Sequence, residues 1–196
     1  MTSIIKAAGE NDAAGVIGVI TLAFSADPMA RWSSPDPGTY LATFPSLAKA
    51  FGGKAFAAGT AYFADGYAGA ALWLPPGTHP DEQAMIALIE KMAPEAIRAD
   101  LYNIFELMDK FHPKEPHWYL PMIGVDPTGQ GNGVGSSLMK HALEICDRDN
   151  LIAYLESSNP RNISLYERYG FKVIGEIQTG SSPVVRPMLR DARMVS

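Results

Sequence analysis

The sequence feature that most constrains the fold is a glycine-rich stretch that joins a strand-like segment to an amphipathic helix. The strand-like segment covers 118–125, and Pro127 prevents its hydrogen-bond ladder from continuing. Gln130-Gly-Asn-Gly-Val-Gly135 then runs directly into a predicted helix over 133–149. Glycine lets the backbone turn sharply and approach a ligand closely. Because the first amides of a helix lack partners and carry the positive end of its dipole, this stretch predicts a phosphate-binding turn.

Three kinds of phosphate-binding loop compete for this stretch. A P-loop is excluded, because Val134 and Ser136 stand where its second glycine should be. A dinucleotide fingerprint would end on Ser136, and it normally belongs to an opening βαβ unit rather than to this late part of a chain. The acyl-CoA loop Gln/Arg-x-x-Gly-x-Gly/Ala is matched in full by Gln130, Gly133 and Gly135. A strand-to-helix turn without any ligand stays open as the alternative for this loop alone.

A second polar stretch follows the next predicted strand, which covers 151–157. The loop after this strand is suited to capping, and a short helix is predicted over 161–169. Gly170 closes that helix as a left-handed C-cap. Asn162 and Tyr166 stand four residues apart, so both side chains can face the same side of the helix.

The remaining segments predict an α/β fold with a mixed sheet. An apolar helical stripe begins after Asp12, which can cap it, and Asp27-Pro28 ends that helix. Pro94 must break or start a helix, so the apolar segment 81–111 is predicted as two helices. The other predicted elements are a strand at 3–8, a loop at 31–38, a helix at 39–52, a strand pair at 55–63 and 67–74 joined by a Gly-containing turn, and strands at 171–178 and 184–190.

Composition argues against several classes of function. The net charge of −5, without clustered Lys and Arg, argues against nucleic acid as a partner. No run of about 18 apolar residues exists and the N-terminus lacks signal-peptide features, so no membrane association is expected. Cys146 is the single cysteine, which excludes an internal disulfide and favours a reducing, cytoplasmic location. The histidines lack metal-ligand spacing, so no metal is expected.

The two motifs together carry a family resemblance. The V-x-P and Q-x-x-G-x-G of Val125–Gly135 and the N-x-x-L-Y-x-x-x-G-F of Asn162–Phe171 resemble the GNAT (Gcn5-related) N-acetyltransferase superfamily. Within it, the chain is similar to the puromycin N-acetyltransferase group. Segments that carry this closer similarity are Phe111–Leu120, Leu155–Asn162, and Ala23-Phe24 with Asp27-Pro28. Because 29–110 departs most from that group, an amine other than puromycin is expected as the acceptor.

The resemblance implies a central mixed sheet of about six or seven strands, flanked by helices, whose two central parallel strands splay apart. Residues 1–196 then form one domain, with a substrate-side half over 1–110 and an acetyl-CoA-binding half over 111–196. The pantetheine arm lies in the gap between the splayed strands, and the pyrophosphate lies on the glycine loop. The resemblance assigns acetyl-CoA binding to Met122, Ile123, Gly124, Val125, Gln130, Gly131, Asn132, Gly133, Val134, Gly135, Ser136, Asn159, Asn162 and Tyr166.

The resemblance also implies direct attack of a neutral amine on the thioester, without a covalent enzyme intermediate. Tyr166 occupies the position of the superfamily's general acid. A phenol suits that role, since it keeps its proton at neutral pH and can give it to the CoA thiolate. A structural tyrosine that only contacts the sulfur is the alternative. A backbone N–H near Ile123 is expected to polarise the thioester carbonyl. Glu156 is predicted as the general base, with His117 and Tyr119 behind it, and a substrate anchor is its alternative role.

The acceptor predicted from the resemblance is the primary amine of a small molecule. Substrate contacts are placed at Phe24, Asp27, Trp32 and Tyr119. Aromatic side chains with one carboxylate suit an aromatic or flat amine, whose charge Asp27 would attract. Two other functions stay open: a protein or peptide acetyltransferase, and a CoA-binding sensor without turnover. A homodimer paired through 171–190 also stays open.

Overall fold

A seven-stranded mixed sheet runs through the molecule, whose computed structural model describes residues 3–193. Its strands are β1 (Ile5–Ala7), β2 (Ala61–Ala64), β3 (Gly69–Leu74), β4 (His117–Val125), β5 (Ile152–Ser157), β6 (Lys172–Val173) and β7 (Arg186–Arg190). They lie in the order β1-β2-β3-β4-β5-β7-β6. Neighbouring strands are antiparallel except β4 and β5, which are parallel. The predicted α/β fold with a mixed sheet is confirmed.

Helices cover both faces of this sheet. They are α1 (Ala13–Ala23), α2 (Pro28–Ser33), α3 (Pro37–Gly52), α4 (Lys54–Ala58), α5 (Glu82–Met92), α6 (Glu95–Phe111), α7 (Val134–Arg148) and α8 (Ile163–Arg168). α1 and α3 pack on one face, where Ile20 and Phe44 are buried with Leu72. α7 packs on the other face, where Leu138 is buried with Trp73. Because apolar side chains fill both faces of the sheet, a functional site is expected at the ends of the strands rather than on a face.

A β-bulge in β4 separates the two central strands. Met122 pairs with Leu72 and Tyr119 pairs with Leu74, so two residues of β4, Leu120 and Pro121, oppose a single residue of β3. Pairing with β5 also stops at Leu120, and Pro121 has no N–H with which to continue it. Since a bulge bends its strand, β4 turns away from β5 and the two strands splay apart.

The inserted residue also exchanges the two faces of β4. Before the bulge, Trp118 and Leu120 belong to the α7 side of the sheet, and Tyr119 belongs to the α1 side. After the bulge, Met122 belongs to the α1 side and Ile123 to the α7 side. Side chains alternate with a period of two, so one extra residue inverts every later assignment. The side chains of residues 122–125 therefore face the opposite sides from those expected by continuing the pattern of 117–120, and this part of β4 does not pair with β5.

Several predicted boundaries are confirmed, and one predicted cap is wrong. Pro94 separates α5 from α6, and Gly170 follows α8 with a φ of 91°, the left-handed conformation predicted there. The carboxylate of Asp12 does not cap α1; it accepts the N–H of Gly9 at 3.0 Å and closes the turn before the helix. The sequence pattern therefore predicted the start of α1 correctly, but it predicted the wrong hydrogen-bond partner for the Asp12 carboxylate.

Two other predictions are wrong in part, because short helices replace extended segments. Residues 54–58 form α4 rather than the start of a strand, since the segment Lys-Ala-Phe-Ala-Ala favours a helix and Gly59 ends it with a φ of 69°. The predicted loop at 31–38 is shortened from both sides by α2 and α3. Asp27 accepts N–H bonds as the N-cap of α2, and Pro28 is its first residue.

The strand predicted at 171–178 is reduced to the two residues of β6. Ile174 donates its N–H to the carbonyl of Pro187, but Pro187 has no N–H to return. A side chain at Gly175 would lie 2.4 Å from the Phe111 ring, so the backbone passes close against α6 at this point. Pairing resumes only as an isolated bridge between Ile177 and Val185.

An ion pair fastens β7 to the end of α7. Arg190 is 2% exposed and donates two hydrogen bonds to the Asp147 carboxylate, at 2.7 and 2.9 Å. Replacing Asp147 with Asn leaves the guanidinium buried without a counter-charge, so we expect the free energy of unfolding to fall by about 3 kcal/mol. Urea titration measures this loss. Asp191→Asn is the matched control, because its exposed pair with Lys172 is worth under about 1 kcal/mol. Equal losses in both variants would contradict a structural role for the buried pair.

Candidate active site

A cleft opens where β4 ends and α7 begins; we name it the glycine-loop cleft. Its volume is about 500 Å³, within the usual range of small-molecule sites. Twelve of the fourteen residues predicted to bind acetyl-CoA line it: Ile123, Gly124, Val125, Gln130, Gly131, Gly133, Val134, Gly135, Ser136, Asn159, Asn162 and Tyr166. Two segments that are distant in sequence, the glycine loop and the β5–α8 connection, therefore meet at one site.

The glycine loop holds the N-terminus of α7 open toward this cleft. Gly131 and Gly133 have φ of 81° and 82°, the left-handed region that favours glycine. Gly133 is the N-cap of α7 and has no side chain with which to cap the first N–H groups. Gln130 fastens the loop to β4 by donating from Nε2 to the carbonyl of Val125 at 3.3 Å. Uncapped N–H groups at the positive end of a helix dipole suit a phosphate group.

Two arginines line the same cleft and were not predicted. Arg161 lies in the turn before α8 and Arg168 lies at its end. Their spacing of seven residues, two helical turns, is a sequence signal that would have found them. They bring positive charge to a cleft of a chain whose net charge is −5, and guanidinium groups bind phosphate well.

Two predicted cofactor residues lie outside the glycine-loop cleft. Asn132 is exposed, and its Nδ2 donates to the carbonyl of Gly129 at 3.3 Å, which stabilises the loop from outside. Met122 lines the adjoining space described next. The structure therefore gives Asn132 a place in the loop rather than in the cleft wall.

The deeper space, which we name the central cavity, has a volume of about 140 Å³ and continues from the glycine-loop cleft. Phe24, Asp27, Ile123, Asn162 and Tyr166 line both spaces. The rest of its wall is mostly apolar and comes largely from α3, α5 and α6: Phe44, Leu47, Phe51, Met85, Ile89, Met92, Leu101, Ile104, Phe105 and Met108. A ligand that fills this cavity must therefore present an apolar body.

Tyr166 stands where the glycine-loop cleft meets the central cavity. Its side chain is buried, with 5% exposed. Burial raises the pKa of Tyr166 above its usual value near 10, and the negative charge of Asp27 raises it further. The phenol therefore holds its proton throughout the neutral range, as a proton donor requires.

Asp27 joins the N-terminal helices to the end of β5. Its Oδ1 accepts the N–H groups of Met29 and Ala30 at 3.0 and 3.1 Å, and its Oδ2 accepts the Ser158 hydroxyl at 2.8 Å. Burial raises the pKa of Asp27, while these hydrogen bonds oppose the rise. Because both oxygens already have partners, the carboxylate is held in place as a fixed charge beside the Tyr166 phenol.

Glu156 lies at the end of β5, on the far side of the central cavity from the glycine-loop cleft. Its side chain is 4% exposed, and its Oε1 has no hydrogen-bond partner within residues 3–193. Burial raises the pKa values of Tyr119 and Tyr154, and the negative charge of Glu156 raises both further. A buried carboxylate oxygen without a partner is costly, so such groups are found mostly at functional sites.

Glu156 also lines a third space, the outer cleft, which opens on the side away from the glycine loop. Its wall includes Tyr119, one of the predicted substrate residues, and the carboxylates of Glu82, Glu106 and Asp109. Among residues 3–193, neither Lys nor Arg lines this cleft. Neighbouring spaces share wall residues: Tyr166 lines both the glycine-loop cleft and the central cavity, and Glu156 lines both the central cavity and the outer cleft. We name the three adjoining spaces together the passage.

Trp32 is the predicted substrate residue that the structure places elsewhere. Its indole packs beside Ile89 and Ile104, below the central cavity, and its Nε1 donates to the Ser181 hydroxyl at 3.1 Å. Phe24, Asp27 and Tyr119 line the passage. The sequence offered no signal that separates a supporting tryptophan from one in the wall.

Two kinds of feature are absent from residues 3–193. No group of three or more His, Cys, Asp or Glu side chains there could hold a metal ion. No helix in that range has both the length and the apolarity needed to cross a membrane.

Comparison with known families finds similarity in the central and later part of the chain. The family model described as acetyltransferase (GNAT) family matches residues 98–171. An uncharacterized N-acetyltransferase of Schizosaccharomyces pombe is 33% identical over 118 residues, which are 54% of this chain and 47% of that protein. The chain therefore spans about half the length of this curated relative.

Solved structures share the whole fold. One is a crystal structure of histone acetyltransferase HPA2 and related acetyltransferase from Corynebacterium glutamicum, with a TM-score of 0.70 and 25% identity, covering 100% of this chain and 99% of that one. Another is arylalkylamine N-acetyltransferase 2 from Aedes aegypti, with a TM-score of 0.64 and 14% identity, covering 97% of this chain and 99% of that one. The second likeness concerns the fold alone.

Proposed function

We propose that this chain is a GNAT-family acetyltransferase that transfers an acetyl group from acetyl-CoA to the primary amine of a small molecule. The observation that carries the proposal is the arrangement of the passage. A buried phenol, Tyr166, and a buried carboxylate, Glu156, lie in the wall of one cavity, between a phosphate-binding cleft and an acidic cleft. These are the two proton-transfer groups that amide formation from a thioester and an ammonium ion needs.

The residues of the glycine-loop cleft fit acetyl-CoA. The N–H groups at the start of α7, with Arg161 and Arg168, would hold its phosphates. The backbone of 122–125, which no longer pairs with β5, would bind the amide groups of the pantetheine arm. Acetyl-CoA supplies the activated acyl group, and this chain supplies its placement and the handling of protons.

The proton balance assigns one role to each end of the central cavity. An acceptor that arrives as an ammonium ion loses two protons when it becomes an amide. Glu156 accepts the first, which frees the nitrogen lone pair. The second proton replaces the one that Tyr166 gives to the departing thiolate, so the CoA thiol leaves protonated and the phenol is restored. A backbone N–H near Ile123 would polarise the carbonyl.

The acceptor that suits this cavity is a small amine with an apolar body. Its wall is built of aromatic and aliphatic side chains, among them Phe44, Phe51 and Phe105, with Glu156 as the carboxylate at its far end. The acidic side chains of the outer cleft would attract a cation toward this end. A relative in fold is named an arylalkylamine acetyltransferase, which is consistent with such an acceptor. A protein acceptor would need an open groove, whereas α5 and α6 close over this cavity.

The test is thiol release from acetyl-CoA against a panel of amines, with calorimetric titration of CoA in parallel. The panel contains arylalkylamines, alkylamines, polyamines, puromycin, aminoglycosides and lysine-containing peptides. Turnover that is highest with an apolar monoamine supports the proposal, and turnover with peptides alone would move the chain to the protein acetyltransferases. Binding of CoA without turnover on any amine would indicate a sensor.

We expect Gly135→Val to weaken CoA binding at least tenfold, or about 1.4 kcal/mol, without unfolding the protein. A side chain at position 135 would meet Leu165 at 3.5 Å and Val125 at 3.6 Å, which are ordinary contacts, so the variant should fold. Its methyl groups would occupy the space where the phosphates lie. The measurement is calorimetric titration with CoA.

The matched control for this variant is Gly18→Ala on the exposed side of α1, where the new side chain meets no other atom within 4 Å. S-acetylpantetheine, which lacks the phosphates, is the matched ligand. We expect its KM to change little in Gly135→Val. A parallel loss for both donors would show that the loop does not hold the phosphates.

A further inference from the structure

A pair of histidines lies directly behind Glu156. His112 follows α6, and its Nδ1 is 3.9 Å from Oε1 of Glu156. Its Nε2 is 2.8 Å from Nε2 of His117, at the start of β4. Nδ1 of His117 is in turn 2.7 Å from the backbone carbonyl of Glu115. The carboxylate is thus the inner end of a row of polar groups that leads away from the central cavity.

The hydrogen bonds of this row determine which ring nitrogens carry protons. A carbonyl can only accept, so Nδ1 of His117 carries a hydrogen. Burial lowers the pKa of His117, with smaller contributions from neighbouring groups, so the ring is neutral at neutral pH and its Nε2 can only accept. The hydrogen between the two rings therefore belongs to Nε2 of His112. In a neutral His112 this leaves Nδ1, the nitrogen that faces Glu156, without a proton.

The surroundings of His112 hold the ring in this orientation and connect it to water. The rings of Tyr119 and Tyr154 contact it edge-on, with centroids 4.7 and 4.8 Å away. The side chain is 22% exposed and lines the outer cleft. The titratable groups that surround it are His117 and Tyr119 on β4, Tyr154 and Glu156 on β5, Glu106 and Asp109 on α6, and His79 and Glu82 near the start of α5.

We propose that His112 relays the acceptor's proton from Glu156 to water in the outer cleft, and that His117 positions it by fixing its tautomer. This inference rests on the proposed acetyl transfer. Glu156 receives a proton from the ammonium group; its O–H bond then breaks, an N–H bond forms at Nδ1 of His112, and the carboxylate is restored. The Nδ1–H bond of the imidazolium then breaks and this proton passes to water in the outer cleft, which restores the Nε2–H tautomer of His112. The distance of 3.9 Å is about 1 Å longer than a hydrogen bond and must shorten when the acceptor binds.

The first test needs no turnover. Imidazole nitrogen chemical shifts of the uniformly ¹⁵N-labelled chain at neutral pH distinguish the tautomers, and the variants His112→Gln and His117→Gln assign the signals. We expect Nε2–H on His112 and Nδ1–H on His117. In His117→Gln we expect the tautomers of His112 to mix. An Nδ1–H tautomer of His112 in the native chain would overturn the proposal, because that nitrogen could not accept a proton.

The second test is the pH dependence of kcat with the best amine of the panel. A relay through His112 needs an Nδ1 that carries no proton, so protonation of this ring blocks the relay in acid. In His112→Gln we expect kcat at neutral pH to fall about tenfold or more and the acidic limb to move by about one pH unit or more to lower pH. The effect on the KM for acetyl-CoA should be small.

The matched control is His141→Gln, since His141 packs against Tyr62, away from the passage. It should change neither the rate nor the profile. A lower kcat in His112→Gln with an unmoved acidic limb would mean that His112 only supports the structure, and the relay would be wrong. If the native chain binds CoA but acetylates no amine, the proposed function itself fails, whatever the tautomers are.

Discussion

Tyr166→Phe is expected to lower kcat by about 10²–10⁴-fold, the usual contribution of a general acid. The expected loss of kcat follows from where Tyr166 lies and from the protonated state of its phenol. Tyr166 lines both the glycine-loop cleft and the central cavity, and burial followed by the charge of Asp27 raises its pKa. The native chain should therefore keep its acid form, and its rate, up to at least about pH 10. Steady-state kinetics with acetyl-CoA and the preferred amine measure both effects.

Two readouts separate proton transfer from a purely structural role of this phenol. The KM for acetyl-CoA should stay within about threefold, because an interaction made only in the transition state lowers kcat alone. Tyr67→Phe is the control, since that hydroxyl donates to Asp12 far from the passage. If Tyr166→Phe raised KM and left kcat unchanged, Tyr166 would be a binding residue and another proton donor would be required.

Glu156→Gln is expected to lower kcat with the preferred amine by about 10²–10³-fold at neutral pH. Glutamine has the shape of glutamate but cannot accept the ammonium proton. The alternative role, an anchor for the acceptor's charge, predicts a different result: a higher KM for the amine with little change in kcat. Measurement at pH values above the pKa of the free amine should restore part of the rate, because the acceptor then arrives already deprotonated.

The same substitution should not destabilise the protein. Oε1 of Glu156 is buried without a hydrogen-bond partner within residues 3–193, and a buried polar atom without a partner costs free energy. We therefore expect the free energy of unfolding of Glu156→Gln to be unchanged or higher, as is common for residues kept for activity. Glu144→Gln, on the exposed face of α7, is the matched control for both measurements. A large loss of stability would indicate that Glu156 holds the fold rather than the substrate.

The parts of the site that were predictable from the sequence are those that backbone chemistry determines. Glycines at 131 and 133 and the helix that follows specify an open helix N-terminus, whatever the rest of the fold does. Pro94 likewise had to divide its helix. The spacing of Asn162 and Tyr166 placed both on one side of α8, and both line the glycine-loop cleft. Local rules suffice for such features.

Features that depend on distant contacts were not predictable. No sequence motif pointed to His112, because the histidines lack the spacing of metal ligands. It lies near Glu156 only because the end of α6 packs against β4 and β5. The β-bulge at Leu120 and Pro121 is another case, because a proline in a strand reads only as an edge or an irregularity until the pairing of the neighbouring strands is known. Trp32 was predicted for the substrate wall because it lies in the region where the resemblance places substrate contacts, whereas its indole packs against the core clusters that contain Ile89 and Ile104.

The passage has two openings, and the side chains that line them differ in charge. One mouth, at the glycine loop, is basic through Arg161 and Arg168, and the other is acidic through Glu82, Glu106 and Asp109. A polyanionic donor would thus be attracted to the first opening and a cationic acceptor to the second. If both bind as proposed, the donor and the acceptor would enter by different openings. The charge of each opening would therefore favour one substrate over the other.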